Sequence, residues 1–415
     1  MRYLVVVGML AGCGATPART TQALAAAHTL WLALDGEAVQ AGIADDATAL
    51  VSAVGKAQIP AFDPTVVAPD APATAVLQAV LVDRVRGYFL AYDLDVTATR
   101  PASGDYAAVL VGGTSGLLVP SQPAGIAGVG AVDCADTNAR SLGYAFSDVA
   151  IPARGGIVAL GATVAHEAAH GWGLEHTTDV HDPMYSVAQP QQTLEDLFSL
   201  RFESGVYSSF QAGGGTTAEQ CGHPDPIDHA ALLRGVLGPR ATVLSAPPTV
   251  SLVFPPDRAV LPRTLPLHMD ASDDVGVARV EVYRDLALVA VLSAPYELTL
   301  TLPVADSTTL TIEAIDDDGQ RARTSRTFRV DDTVAPACDA SLPCRSPATC
   351  VNGFCAVQSS DLSSVPGDLA NASAHSGGCA VGGHAPIPGA PALVLFPLFV
   401  VVGAARSRRT SRARG

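Results

Sequence analysis

The sequence is poor in charged residues, and positive charge is the scarcer sign. Only 16% of the 415 residues are charged, 48% are hydrophobic, and 40 acidic side chains stand against 25 basic ones. That hydrophobic content argues against a disordered chain, because it supplies enough apolar surface for a packed core. The net charge of −15 argues against a nucleic-acid partner, since phosphate binding needs a basic surface. The length allows two or three domains.

The N-terminal end predicts export. Arg2 precedes an apolar run over residues 3–10, the order of charge and apolarity that is typical of a signal peptide. The Leu10-Ala11-Gly12-Cys13 segment resembles a bacterial lipoprotein cleavage box, which implies a signal peptide over residues 1–13 and a lipid on Cys13. The alternative is an ordinary secretory signal, cleaved near the small residues 25–27.

The C-terminal end predicts a second signal, over residues 379–415. Cys379 follows two glycines and precedes an apolar run over residues 390–405, which ends in a cluster of arginines. The run contains two prolines and is shorter than the roughly twenty residues of a membrane-spanning helix. The order resembles the myxobacterial C-terminal sorting signal, which implies processing near Cys379. The alternative is a single-span anchor with its arginines in the cytoplasm, and either arrangement holds the rest of the chain outside the cytoplasmic membrane.

The other six cysteines are disulfide candidates. Two fall in the first large domain and four crowd into a Cys-rich segment, residues 333–358: Cys134, Cys221, Cys338, Cys344, Cys350 and Cys355. Because the chain also carries export signals, this distribution of cysteines favours disulfides, formed in an oxidising compartment, over a zinc knuckle with four thiolate ligands. Four clustered cysteines allow three pairings, and the spacing does not choose among them. Residues 359–378, rich in Ser, Ala, Gly and Asp, predict a flexible linker.

Residues 24–245 predict an α+β domain. Apolar patterns indicate strands over residues 28–35, 94–100 and 106–111, and a helix over residues 74–92. This order predicts a mixed sheet with helices packed on it. Residues 247–332 instead carry seven short alternating segments, which predict an all-β immunoglobulin-like sandwich. Its turn aspartates are weak candidates for calcium, because such residues commonly serve turns alone: Asp270, Asp273, Asp274, Asp316, Asp317 and Asp318.

The strongest chemical signal is the segment His166-Glu167-Ala-Ala-His170-Gly-Trp-Gly173-Leu-Glu-His176. On a helix, His166 and His170 lie on the same side and can bind one metal ion. Glu167 is placed to reach a metal-bound water. Gly173 lets the chain turn sharply, so that His176 reaches the same ion. Three histidine ligands leave the fourth tetrahedral position open, which is typical of a catalytic zinc site.

This segment resembles the metzincin metalloproteases, whose pattern is H-E-x-x-H-x-x-G-x-x-H followed by a Met-turn. Met184 lies eight residues after His176 and is the Met-turn candidate, and the details look most like the matrixin branch. The resemblance covers residues 157–186 and implies one catalytic zinc ion, with Glu167 as general base. It also implies protein or peptide substrates. Tyr185 is a candidate for the pocket wall, with core packing as the alternative.

Two further alternatives stay open at this point. The Cys221-Gly-His-Pro-Asp segment resembles the cysteine switch of matrixin propeptides, in which a thiolate caps the zinc; the other reading is a Cys134–Cys221 disulfide. The sequence predicts a surface-anchored zinc endopeptidase. The competing functions are a surface adhesion protein on an inactive metzincin fold, and a zinc hydrolase that cleaves cell-wall peptides. The complete ligand and base set disfavours the inactive fold.

Overall fold

The computed structural model describes residues 28–67, 73–118, 126–134, 136–148, 156–185, 194–203, 205–209, 221–255, 257–285, 287–333, 349–351 and 354–356. Its first domain contains strands β1 (His28–Ala33), β2 (Glu37–Ala41), β3 (Val51–Ser52), β4 (Ala57–Ile59), β5 (Leu94–Thr97), β6 (Ala107–Val111), β7 (Gly128–Val129) and β8 (Leu142–Ala145). Its helices are α1 (Pro64–Val67), α2 (Thr74–Tyr88), α3 (Gly156–His170), α4 (Leu194–Ser199) and α5 (His229–Leu237).

The main sheet of this domain has the strand order β5-β1-β6-β8-β7. The first four strands are parallel, and β7 runs antiparallel at the edge beside β8. Both faces of β1 are buried. Leu30 and Leu32 pack with α2 and α3, whereas Trp31 and Ala33 pack with the small β3-β2-β4 sheet. Since successive side chains of a strand point to opposite faces, this alternation makes a three-layer domain with the mixed sheet in the middle.

Helix α2 is shorter than its pattern predicts. The apolar spacing predicts a helix to residue 92, but the helix ends at Tyr88. The Phe89 N–H bonds the carbonyl of Arg86 at 3.0 Å, and the Tyr92 N–H bonds that of Phe89 at 3.0 Å, so the chain leaves the helix in tight turns. The rings of Phe89 and Tyr92 stay buried, and they therefore continue the apolar spacing beyond the helix itself.

The second domain is a β-sandwich. Its strands are β9 (Thr249–Phe254), β10 (Val260–Leu261), β11 (Thr264–Ser272), β12 (Val277–Arg284), β13 (Ala287–Leu292), β14 (Glu297–Thr301), β15 (Ala305–Asp316) and β16 (Arg321–Val330). One sheet has the order β10-β16-β15-β12-β13, and the other has the order β14-β11-β9. The short strand β10 was not among the seven predicted, because two residues are too few to show an alternating pattern.

The outer face of the larger sheet is covered by the first domain. Val280 and Val282 of β12 fill the sandwich core, so their neighbours Glu281 and Tyr283 point outward. Both outward side chains are fully buried, because α2 lies against them. The guanidinium of Arg84 on α2 lies 3.1 Å from Glu281, donates to the Tyr283 hydroxyl at 2.6 Å, and pairs with Glu313 of β15. Buried charges that compensate one another therefore join the two domains.

Further arginines complete this interface. Arg279 pairs with Asp83 of α2 at 2.6 Å, and Arg321 pairs with Glu313 at 2.8 Å. Arg323 donates to the carbonyl of Phe198 in α4 at 2.9 Å. The second domain is thus attached to the helical layer that also contains α3.

The chain ends contribute little to the described structure. Strands β17 (Thr349–Val351) and β18 (Phe354–Ala356) pair as a hairpin, with Cys350 opposite Cys355 in backbone register. Other segments discussed above lie outside the described residues: Cys13, Cys338, Cys344 and Cys379, the predicted signals over 1–13 and 379–415, and the linker over 359–378. No helix within the described ranges is long and apolar enough to cross a membrane.

Candidate metal centre

Three histidine rings meet where α3 ends. His166 and His170 lie one turn apart on α3, with ring centroids 4.7 Å apart. The ring of His176 lies 4.9 Å from that of His166 and 5.0 Å from that of His170. The predicted ligand set therefore comes together in the structure.

Gly173 makes the turn that brings His176 back. Its φ is +85°, a left-handed conformation that glycine adopts without steric cost. The Leu174 N–H bonds the Ala169 carbonyl at 3.1 Å, and the Gly173 N–H bonds the His170 carbonyl at 3.0 Å. This pair of bonds is the Schellman motif, which satisfies the last carbonyls of the helix while the chain reverses.

Backbone carbonyls fix the tautomers of the two helical histidines. His166 Nδ1 lies 2.8 Å from the Pro183 oxygen, and His170 Nδ1 lies 2.7 Å from the Leu174 oxygen. A carbonyl oxygen can only accept a hydrogen bond, so each Nδ1 carries the proton and each Nε2 keeps its lone pair. Metal-binding histidines are commonly oriented by a hydrogen bond of this kind.

The Nε2 atoms of the three histidines lie close enough together to bind one cation. His176 Nε2 lies 3.0 Å from His166 Nε2 and 3.2 Å from His170 Nε2. In the tautomer that leaves a lone pair on its Nε2, His176 completes a set of three lone pairs around one cation. A tetrahedral zinc ion at about 2.0–2.1 Å from each nitrogen would separate its ligand nitrogens by about 3.3 Å. The two Nε2–Nε2 distances in the structure agree with that value to within a few tenths of an ångström, so the three histidines fit a zinc ion.

Burial keeps these imidazoles in their ligand form. Burial, followed by the neighbouring His176, lowers the pKa of His170 to about 3. Burial also lowers the pKa of His166 to well below its usual value, and lowers that of His176. The imidazoles are therefore neutral near pH 7, and neutral imidazole is the form that binds a metal.

The Glu167 carboxyl is enclosed beneath the edge strand β7. A Cβ atom added to Gly128 would lie 2.3 Å from Glu167 Oε1, and one added to Gly130 would lie 2.9 Å from Oε2. Only glycine leaves room for the carboxyl at these positions. Burial raises the pKa of Glu167 well above its usual value. A raised pKa makes the carboxylate a stronger base, which suits it to take a proton from water in general acid–base chemistry.

The predicted Met-turn lies beside the third histidine. Met184 is fully buried in the core that includes α3. Its carbonyl accepts from the Thr177 N–H at 3.2 Å, and Thr177 also pairs with Tyr185 in a parallel bridge. Tyr185 is buried as well, which agrees with the core-packing alternative.

A disulfide joins Cys134 to Cys221, 87 residues apart. The cysteine-switch alternative is incompatible with this bond, because it leaves no free thiolate at Cys221. The bond ties down the chain that follows β7, where the Asp133 N–H donates to the carbonyl of His170 at 3.0 Å. It therefore connects the segment that contacts the end of α3 to the segment that precedes α5.

Three of the six aspartates considered for calcium accept hydrogen bonds from backbone N–H groups. Asp316 accepts from the Gln320 N–H at 2.8 Å, Asp318 from the Ser245 N–H at 3.0 Å, and Asp273 from the Val275 N–H at 2.9 Å. Two groups of potential ligands in the described ranges converge closely enough for one ion, and neither contains these aspartates. They are the three histidines, and Glu175 with Cys221 and His223, of which Cys221 is already bonded to Cys134. Calcium in the second domain stays a prediction.

Sequence reasoning missed several residues of this site. Asp182 and His229 form a buried pair beneath the Met-turn, with 2.9 Å between His229 Nδ1 and Asp182 Oδ2. Gly128 and Gly130, which lie over Glu167, were missed as well. A glycine within a strand often marks the close approach of another group, but the sequence pattern does not name that group.

Comparison with known proteins finds a family match within the second domain. Residues 248–314 match the family model of the bacterial Ig domain. With the sandwich seen here, this region is consistent with an Ig-like fold, and such a domain suggests an extracellular or surface protein. The match leaves the first domain unassigned. No curated protein matches the chain.

Solved structures resemble parts of the chain only. The fibronectin(III)-like modules of Clostridium thermocellum CbhA are 26% identical with a TM-score of 0.20, and the match covers 22% of this chain and 49% of theirs. The chain thus spans about half of that structure. The PKD1 domain of Vibrio anguillarum Epp is 16% identical with a TM-score of 0.17, and the match covers 21% of this chain and 98% of that domain. TM-scores this low carry no argument about function.

Proposed function

We propose that this protein is a zinc-dependent endopeptidase of the metzincin type, displayed on the cell surface. The observation that carries the proposal is the convergence of three neutral imidazoles, through Nε2, beside a buried glutamate on the same helix. The proposed ligands are His166, His170 and His176. Met184 forms the apolar floor of the site, as the resemblance to metzincins implies.

The zinc ion and Glu167 would have different roles in peptide hydrolysis. Zinc, when bound, would lower the pKa of water and polarise the scissile carbonyl. Glu167 accepts a proton from the attacking water at a carboxylate oxygen. The water oxygen bonds to the peptide carbon, the C–N bond breaks, and Glu167 returns the proton to the leaving amine. The enclosure of the Glu167 carboxyl under Gly128 and Gly130 limits the movement of this side chain.

The location of the protein forms part of the proposal. Lipid on Cys13, processing near Cys379, or both would hold the enzyme at the outer surface. The Cys134–Cys221 disulfide and the bacterial Ig domain support an extracytoplasmic setting. We expect the chain in the membrane or culture-medium fraction, and its recovery from the cytoplasm alone would contradict this location.

The test of function uses two substrate classes, casein and purified cross-linked cell-wall peptides. Reaction in ¹⁸O-labelled water, followed by mass spectrometry, should reveal one labelled oxygen at each new carboxyl end of casein. A chelator should abolish the cleavage, and added zinc should restore it. Cleavage of cell-wall peptides without casein would favour the narrower hydrolase. Zinc binding without cleavage of either substrate would favour the adhesion protein.

The matched variants are Glu167→Gln and Glu297→Gln. Glu167→Gln keeps the size of the side chain but cannot take up a proton, so we expect it to abolish cleavage. Glu297 is an exposed glutamate of the second domain, and its replacement should leave the rate unchanged. Equal activity in the two variants would remove Glu167 from the mechanism.

A further inference from the structure

A buried hydrogen-bonded pair of side chains, His229 and Asp182, lies outside the zinc motif. His229 is the first residue of α5, and Asp182 precedes Pro183 in the Met-turn segment, 47 residues earlier. His229 is 2% exposed and Asp182 is 8% exposed. His229 Nδ1 lies 2.9 Å from Asp182 Oδ2, which makes a direct hydrogen bond between the two elements.

Asp182 shapes the turn that follows it. Its Oδ1 accepts from the Met184 N–H at 2.7 Å, and its backbone carbonyl accepts from the Tyr185 N–H at 2.9 Å. These two bonds enclose Pro183, whose φ is already fixed by its ring. The direction of the Pro183 carbonyl is therefore set by the turn that Asp182 organises.

The Pro183 carbonyl in turn holds a proposed zinc ligand. It accepts from His166 Nδ1 at 2.8 Å, and this bond directs the opposite nitrogen, Nε2, toward the other histidines. A chain of direct contacts thus runs from His229 through Asp182 and Pro183 to His166.

Helix α5 gives this chain a rigid anchor. Asp228 caps the helix by accepting from the Ala231 N–H at 2.8 Å, and Ala230, Leu233 and Leu237 are buried in the same core as α3. In the described part of the structure His229 Nε2 is buried and has no hydrogen-bond partner. Among the described residues, the contact with Asp182 is therefore the hydrogen bond that holds the His229 ring.

We propose that His229 and Asp182 are positioning residues of the metal centre, which lock the 182–185 turn so that the Pro183 carbonyl holds His166 in its ligand orientation. The inference rests on the proposed zinc site. It does not require that the protein cleaves peptides.

The test compares three variants of His229 in the purified full chain. His229→Asn keeps a donor near the place of Nδ1, His229→Gln moves the donor to the place of Nε2, and His229→Leu removes it. Zinc affinity is measured by competition with a chelator. The visible spectrum of the Co²⁺-substituted protein reports the ligand geometry. Thermal unfolding of the metal-free chain reports stability separately.

Loss of a partner that orients a metal ligand typically weakens metal binding about 10–100-fold. Because His229 acts through two intermediates, we expect His229→Leu to weaken zinc binding by roughly 10-fold, the lower end of that range, and to alter the Co²⁺ spectrum. His229→Asn should restore most of the affinity. If His229→Leu does not fold, His229→Gln should show the same loss of affinity.

Leu233→Ala is the matched control. It loosens α5 through packing alone, since Leu233 is fully buried and apolar. We expect it to lower the unfolding temperature without changing the zinc affinity or the Co²⁺ spectrum. Parental zinc affinity in His229→Leu and His229→Gln would overturn the inference, as would an equal loss of affinity in Leu233→Ala.

The outcomes separate this inference from the proposed function. A parent chain that binds zinc but cleaves no peptide refutes the peptidase, whereas the affinities of the variants still decide the positioning role. A parent chain that binds no zinc overturns both.

Discussion

Replacing Glu281 in the second domain should destabilise the first domain. Glu281 is fully buried between the domains and lies 3.1 Å from Arg84 Nη2. Glu281→Ala leaves the buried guanidinium of Arg84 with one carboxylate partner, Glu313, and leaves the Tyr283 hydroxyl without its acceptor. The substitution lies in the sandwich, but the interaction that it weakens is the contact between the sandwich and α2.

The magnitude follows from the burial of the pair. Breaking a buried ion pair by removing one partner costs about 3–5 kcal/mol, because the remaining charge stays desolvated. Glu313 still compensates Arg84, and Arg321 lies 2.8 Å from Glu313, so part of the network survives. We therefore expect Glu281→Ala to lower the free energy of unfolding by roughly 3 kcal/mol, the lower end of that range.

Tryptophan fluorescence during denaturation is the assay. The protein has two tryptophans, Trp31 and Trp172, and both are buried in the first domain. Their emission therefore reports unfolding of the domain that does not contain the substitution. Glu297→Ala, at an exposed site of the same sandwich, should change the free energy of unfolding by no more than about 0.5 kcal/mol.

A single cooperative transition that moves in Glu281→Ala would support the interdomain network. The reasoning is refuted if circular dichroism shows a destabilised sandwich while the tryptophan transition stays in place. That result would mean that the two domains unfold independently despite the buried contact.

The remaining predictions concern pH, strand packing and the disulfide. Burial raises the pKa of Glu281, but the surrounding guanidinium groups, Arg321 foremost, outweigh this and lower the pKa from 4.5 to about 2. The depressed pKa of Glu281 contributes stability that is present above pH 4.5 and is lost as the pH falls toward 2. The free energy of unfolding of the parent should therefore fall by roughly 3 kcal/mol over this window, and that of Glu281→Gln should fall by less. Denaturant titration at a series of acid pH values measures both. Gly128→Ala should displace the Glu167 carboxyl, because the new Cβ would lie 2.3 Å from Oε1; we expect kcat/KM to fall about 10²-fold at unchanged zinc content, and parental activity would contradict the packing argument. Replacing both Cys134 and Cys221 with serine should lower the free energy of unfolding by about 2–4 kcal/mol, measured by denaturant titration, and the same midpoint in the parent and the variant would refute a stabilising bond.

The ligand arrangement could be predicted because it is local. His166 and His170 lie four residues apart on one helix, and the Gly173 turn is encoded within the next few residues. Helical periodicity and the left-handed preference of glycine suffice for that step.

The supports of the site could not be predicted, because they are non-local. Gly128 lies over Glu167 only because β7 pairs with β8, which packs on α3. His229 meets Asp182 across 47 residues, and no short pattern connects them. Glu281 lies at an outward position of an alternating strand, where the pattern predicts exposure to water. It is buried because another domain covers that face, and a strand pattern contains no information on its neighbours.

The central claim is best tested by zinc content and casein cleavage, measured on the same samples of the parent and of Glu167→Gln. The account predicts about one zinc ion per chain in both proteins, in line with a three-histidine site, and cleavage by the parent only. Equal cleavage by both, or no bound zinc in the parent, would contradict the account.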